Sequence, residues 1–342
     1  MKVLVLKEPG DEPELVLADA PDPVPGPRDV VVQVAACGFC RHDVAVMAGV
    51  LRRGVKPDVV LGHEVSGTVV DVGADVEKVK PGDFVVAALT TFCGECERCT
   101  SGREYRCFQA QGLGHAIDGG FAQFVNLPER GAVPIPRDAD LLGASILACP
   151  IGVAVQALED VAALRKGETV LVVGSGGGVG LHAVQVAGAM GARVLAVTTS
   201  ADKVARIEEH TSAEVILAGE LDFAEIAMAL TDDVGVDVII NPVGSAVFES
   251  CLRSMAQFGR MVLLGEITGG HVRLSPVEVL FRDAAILGST GASVRHITRA
   301  VEFVEEGEVT PVVSNTYALN EAAEAYRRIR AGETFGRVVL IP

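Results

Sequence analysis

The first part of the chain carries its apolar residues in short, β-branched runs bounded by Pro, Gly or Asp. KVLVL (2–6), DVVVQVAA (29–36), EVSGTVVDVG (64–73) and GDFVVAAL (82–89) are the clearest. Runs of this length and composition read as strands, and together they predict a compact, barrel-like β domain. The Pro-rich stretch APDPVPGPRD (20–29) reads as an early loop. The pattern changes near Cys149. ETVLVVGSGGGVG (168–180) is a buried strand entering a glycine-rich turn, and GLHAVQVAGAMGA (180–192) follows with helical spacing. RVLAVTTS (193–200), VDVIINPVG (236–244), FGRMVLLGE (258–266) and AAILGSTG (284–291) are further apolar strands. Helical stretches such as ADKVARIEEH (201–210) and AVFESCLRSMA (246–256) lie between them. Alternation of this kind predicts a doubly wound parallel sheet. The tail, from HITRAVEFVEEGEV to RVVLIP, reads as amphipathic helices and a last strand.

Size and charge narrow the picture. The 342 residues predict two domains, and 49% hydrophobic content is ample for two cores. Acids outnumber bases 45 to 29, a formal net charge of −16, which argues against nucleic acid and anionic membranes as partners. The run 141–158, LLGASILACPIGVAVQAL, is uncharged and long enough to suggest a membrane span, but Pro150 and Gly152 interrupt it. It predicts two buried helical pieces joined at a kink. The N-terminal apolar run is too short for a signal peptide, and the expected setting is the cytoplasm. In a reducing compartment, eight cysteines point to metal rather than disulfides.

Four of them, Cys93, Cys96, Cys99 and Cys107, lie in CGECERCTSGREYRC (93–107). The C-x2-C-x2-C spacing and a fourth cysteine beyond Gly102 suit a closed tetrahedral zinc site that stabilises a loop. An iron–sulfur cluster or scattered structural thiols are the alternatives. CRHD (40–43), GHEVSG (62–67) and Cys149 carry a second set. His63 alone reads equally well as a structural histidine, and Cys149 alone as packing. Cys, His and Cys together could hold zinc with one position open, as catalytic sites do.

These motifs in combination resemble the medium-chain dehydrogenase/reductase superfamily, in its zinc-containing alcohol dehydrogenase branch, over essentially the whole chain. The resemblance implies an α/β protein: a GroES-like β-barrel catalytic domain (1–150), a Rossmann cofactor domain (151–290) and a C-terminal return to the first domain (291–342). It makes Cys40, His63 and Cys149 the catalytic zinc ligands and leaves Cys37 as a core residue. Glu64 matches a carboxylate that approaches the metal, Asp43 an acid that orients the His63 imidazole, and Arg41 a contact to the cofactor pyrophosphate. His42 stands where many relatives carry Ser or Thr at the start of a proton relay. With Ala45 at the usual second histidine, His42 is the candidate for the whole relay.

The glycine turn follows a strand and opens a helix, the context that a dinucleotide fingerprint needs. Aligned on the family form GxGGxG, its positions are Ser175, Gly177, Gly178, Val179 and Gly180. Where NAD enzymes place an acid, this chain has Thr198, followed by Thr199, Ser200 and Lys203, which favours NADP(H) over NAD(H). The expected activity is zinc-dependent hydride transfer between NAD(P)(H) and a small-molecule alcohol or carbonyl. The alternative is reduction of an activated double bond in an enoyl thioester, favoured by Ser175 and His42. From another class, some relatives keep the fold as non-catalytic proteins. Two zinc ions per chain and a homodimer or homotetramer are expected. Phe39, Phe92, Leu113 and Ser289 are candidates for the substrate wall, each reading equally well as ordinary core.

Overall fold

Seven strands come first: β1 (Lys2–Glu8), β2 (Glu14–Asp19), β3 (Asp29–Phe39), β4 (Glu64–Val72), β5 (Phe84–Ala87), β6 (Phe124–Pro128) and β7 (Ala132–Ile135). Six follow: β8 (Thr169–Val173), β9 (Arg193–Thr198), β10 (Glu214–Leu217), β11 (Val236–Asn241), β12 (Met255–Leu263) and β13 (Ala285–Gly288). The chain ends with β14 (Val313–Ala318) and β15 (Arg337–Ile341). This computed structural model describes residues 1–219 and 221–342. They divide into two units, residues 1–152, 291–301 and 311–342, and residues 153–290 and 302–310. The tail therefore does not belong wholly to the first unit: residues 302–310, the end of the helix Val294–Glu305 and the turn after it, go with the second.

In the first unit a seven-stranded sheet runs β14-β15-β3-β4-β5-β7, with β6 also on β3. Apart from the parallel pair β14–β15, its ladders are antiparallel. Strand β3 is the hub. It is long, its valines are buried, and β4, β6 and β15 all pair with it. Cys40, the first residue after β3, caps the helix Arg41–Met47. Strand β4 opens at Glu64, directly after His63, and the ladder places Gly38 opposite Glu64. The two short motifs are thus brought together by one strand pairing.

The second unit holds a six-stranded, all-parallel sheet in the order β10-β9-β8-β11-β12-β13. Its strands are runs of Val, Ile and Leu because a parallel sheet is covered on both faces. The order reverses between β8 and β11, and at such a switch point a doubly wound sheet binds its dinucleotide beyond the strand ends. One local reading changes, and another gains its geometry. The helical stretch 246–256 is only a 3-10 turn and the short helix Phe248–Arg253, and β12 already begins at Met255. In the 141–158 run the kink is a π-helical turn, Leu147–Ile151, between the helices Leu141–Ala144 and Gly152–Gln156. Pro150 has no N–H to give, so the normal ladder opens there. Among the described residues, no helix is long and apolar enough to cross a membrane.

Candidate metal centres and cofactor turn

Cys40, His63, Glu64 and Cys149 place donor atoms within 4.8 Å of one another, and all four residues are buried. The Cys40 and Cys149 sulfurs are 3.8 Å apart. Two thiolates on a tetrahedral zinc, with Zn–S near 2.3 Å, stand about 3.8 Å apart. Asp43 Oδ1 lies 3.3 Å from His63 Nδ1, which leaves Nε2 to face the sulfurs, and Nε2 is 3.9 Å from Glu64 Oε1. Asp43 Oδ2 accepts the Cys40 N–H at 2.8 Å, so one carboxylate fixes both a backbone cap and an imidazole. Burial pushes the Asp43 carboxyl up, but the charge and hydrogen bonding of His63 and His42 outweigh it and hold it well below the usual range.

Glu64 is fully buried, and neither carboxylate oxygen receives an aligned hydrogen bond. Burial pushes it up to about 8, against the opposing charge of Arg337, whose terminal nitrogen is 3.0 Å from Oε1. Gly38 makes room for this carboxylate: a Cβ there would lie 2.0 Å from Glu64 Oε2. The Cys149 contact draws the Cys40 thiol well down, and burial opposes it. Two close thiols, an imidazole with its second nitrogen turned to them and a carboxylate paired with Arg337 form a donor set that fits zinc.

In the loop 93–107 all four sulfurs converge. Cys96–Cys99 and Cys93–Cys107 are 3.5 and 3.6 Å apart, and Cys93–Cys99 and Cys96–Cys107 both 3.8 Å. These are again the edges of a zinc–thiolate tetrahedron. Backbone N–H groups of Cys96 and Gln109 donate to Cys93 and Cys107 sulfur, as they do to charged thiolates. The loop is anchored within its unit: Ser293 donates to Gly102 O at 2.7 Å and the Val294 N–H to Glu104 Oε1 at 2.8 Å.

The glycine turn leaves β8 through Gly174, at φ 66°, and Gly177 caps the helix Gly178–Ala189 with no side-chain acceptor, so its first N–H groups are available to an anion. Ser175 is buried and donates its hydroxyl to Val172 O at 2.8 Å; any ligand contact there is made by backbone. At the end of β9, Thr198 is also buried, and its Oγ1 accepts the Ser200 N–H. Thr199 is exposed, Ser200 donates to Asp202 Oδ1 at 2.5 Å, and the Lys203 stem lies against Gly176. Thr198 therefore shapes the turn, while Thr199 and Lys203 front it.

Comparison with known proteins bears on what these sites belong to. The alcohol dehydrogenase GroES-like domain family matches residues 26–137, and the zinc-binding dehydrogenase family residues 178–306. An acryloyl-coenzyme A reductase of Sulfurisphaera tokodaii is 32% identical over 100% of both chains. An alcohol dehydrogenase of Geobacillus stearothermophilus is 30% identical over 91% of both. The crystal structure of an NAD-dependent alcohol dehydrogenase superposes with a TM-score of 0.94 at 35% identity, covering 100% of each chain. The chain belongs to the zinc-containing medium-chain dehydrogenase/reductase superfamily. It is an oxidoreductase of the alcohol dehydrogenase type.

In this dehydrogenase two of the substrate-wall candidates fall in the core, while Cys37 is buried there as expected. Phe39 and Leu113 are core residues, Phe39 packing edge-on against Phe121 at 5.2 Å. Phe92 is half-buried, and Ser289, also buried, has an unpartnered hydroxyl in the second unit. Arg41 starts its helix and lies 3.4 Å from Ile329 O. Two residues were missed. Arg337, the charged residue that opens β15, is buried against Glu64; a lone arginine in an apolar terminal strand was the available signal. His115 is the other: its ring lies 5.1 Å from that of His42, which itself lies edge-on to His63 at 5.0 Å. Only its setting between glycines in GLGHAIDGG, just past the cysteine loop, marked it.

Proposed function

We propose that the enzyme reduces a carbonyl-bearing small molecule with NADPH, and that an enoyl thioester suits it better than a simple aldehyde. The convergence of Cys40, His63 and Cys149 carries the reading: two sulfurs at tetrahedral spacing and an imidazole within 4.8 Å of them, with Glu64 beside them and held by Arg337, suit an open site rather than a closed one. When bound, zinc supplies Lewis-acid polarisation of a carbonyl oxygen, and reduced nicotinamide supplies hydride. Asp43 orients His63 as a ligand. Cys93, Cys96, Cys99 and Cys107 hold a second, structural zinc. Gly177, Gly178, Val179 and Gly180 offer backbone N–H groups to the cofactor pyrophosphate, and Arg41 adds a guanidinium. Thr199, Ser200 and Lys203 favour a 2′-phosphate; Asp202 stays turned to Ser200.

His42 lies between Arg41 and Asp43 in the chain and is partly exposed, with Nδ1 3.8 Å from Asp43 Oδ1. It holds or delivers the proton that accompanies hydride. The acryloyl-coenzyme A reductase relative, similar over its whole length, favours the conjugated thioester, for which that proton goes to carbon. The alcohol dehydrogenase relatives favour plain carbonyl–alcohol exchange, the second reading. Reduced thiols in both sites suit a cytoplasmic setting, and a homo-oligomer is expected from the exposed edge of the second sheet.

The test follows consumption of NADPH and NADH by zinc-loaded enzyme, with a short enoyl-CoA and the matching aldehyde, each with and without chelator. Chelator-sensitive turnover of the enoyl-CoA, preferring NADPH, is expected, with His42→Ala lowering kcat about a hundredfold at unchanged zinc content. Turnover of the aldehyde alone would establish the second reading. Turnover that survives zinc removal would overturn both.

A further inference from the structure

Residues 49–57, GVLRRGVKP, link the helix Arg41–Met47 to the GHEVSG segment. They hold Arg52, Arg53 and Lys56 and no acid, in a chain of formal net charge −16. All three side chains are exposed. Lys56 is paired with Asp118, which also accepts the Val60 N–H at 3.0 Å. Arg52 bonds only its own loop, donating to Gly49 O at 2.6 Å, and among the described residues neither arginine has an acidic partner. Two adjacent guanidinium groups with no acid to neutralise them leave this loop a local positive patch on an acidic protein, open to an anion.

The loop is fastened to the metal-donor cluster from one side. His115 Nε2 lies 3.0 Å from Arg53 O, and the Lys56 N–H donates to His115 O at 2.8 Å. The His115 ring in turn neighbours His42 at 5.1 Å. Beside the loop is a hollow of about 220 Å³, lined by Leu6, Val46, Leu51 and Val55, by Arg52, Lys56 and Lys7, and by one acid, Asp58, which Lys7 pairs at 3.0 Å. An apolar hollow with a cationic edge is the complement of a nucleotide: a purine on the floor, phosphates on the fork of the guanidinium groups.

We propose that loop 49–57 binds the adenosine 3′-phosphate 5′-diphosphate end of coenzyme A and so selects CoA thioesters as substrates. This rests on the enoyl thioester reading above. The pantetheine arm, equivalent to about four residues of chain, spans about 14 Å, and the loop's own contacts lead through His115 to His42 beside the donor cluster. The phosphates would be held by Arg52 and Arg53, and the arm needs no charge of its own.

The experiment titrates CoA into zinc-loaded enzyme saturated with NADP+, so that the cofactor site cannot take the nucleotide, and repeats it with Arg52→Gln/Arg53→Gln. Both side chains are exposed, and equal thermal unfolding of the two proteins checks the variant's fold. CoA should bind the native enzyme and bind the variant at least about tenfold more weakly. Pantetheine, which lacks the nucleotide, should not distinguish them. Equal CoA affinity, or none in the native enzyme, overturns the site. Turnover separates the two ideas. Loop-dependent CoA binding without enoyl-CoA reduction leaves the site standing and sinks the enoyl reading. Enoyl-CoA reduction with the same KM in both proteins does the reverse.

Discussion

At the scale of single residues, Asp43 carries more than its exposure suggests. It is fully buried, bonds the Cys40 N–H and faces His63, so it couples the cap of a helix to the orientation of a metal-binding imidazole. Replacing it with asparagine keeps the volume and removes the charge. Zinc affinity at the open site should then fall 10–100-fold, read by competition with a chromogenic chelator, while the four-cysteine site keeps its metal. Equal affinity would make Asp43 a cap and nothing more. The same residue shows how far the sequence could be read. Spacing grouped the four cysteines without help, because all lie in fifteen residues and must fold together. It could not join Cys40, His63 and Cys149, which come from three places; the family resemblance did that. His115 and Arg337 escaped because their neighbours at the site are chosen by strand pairing and loop crossings, which leave no local pattern.

Elements position these residues, and the glycine turn shows the tolerance involved. A Cβ on Gly180 would lie 2.2 Å from Gly174 O, a backbone atom that cannot swing aside. Gly180→Ala must therefore push the helix Gly178–Ala189 away from the end of β8. The expected cost is about 1–3 kcal/mol of stability, together with weaker cofactor binding, since the N–H groups that face the pyrophosphate move with the helix. Thermal unfolding and titration with NADPH check the two halves of that statement; a variant with native cofactor affinity would separate the turn from the cofactor. The strand–turn–helix succession itself was legible from the run of Val and Leu into glycine. Which side chains front the turn was not. Ser175 and Thr198 lie in line with Gly177 and Thr199 in the sequence, yet both bond the chain's own backbone. The short helix Phe248–Arg253 was likewise over-read, because amphipathic spacing does not reveal that β12 begins two residues later.

At the scale of the whole molecule, the alternation of strands and helices was enough to predict a doubly wound sheet, but not its edges. Among the described residues, strand β13 ends the six-stranded order, with one side unpaired. Around it the surface is apolar: Val277, Leu280 and Phe281 are 53%, 67% and 75% exposed, and Phe258, held to the same corner by its N–H to Arg282 O, is 70% exposed. An open edge with such an apolar rim invites pairing with another strand. A twofold axis at the edge would satisfy it with a second copy, joining the two sheets and covering both apolar rims at once, since the same patch would meet itself. Leu280→Glu/Phe281→Glu would place four like charges across that axis. Light scattering on the eluting protein should then show the native enzyme as a dimer or a multiple of one and the variant one step smaller, with its circular dichroism unchanged. A native enzyme that elutes as a monomer at micromolar concentration, or a variant of native size, would show that this rim is not what holds the subunits together.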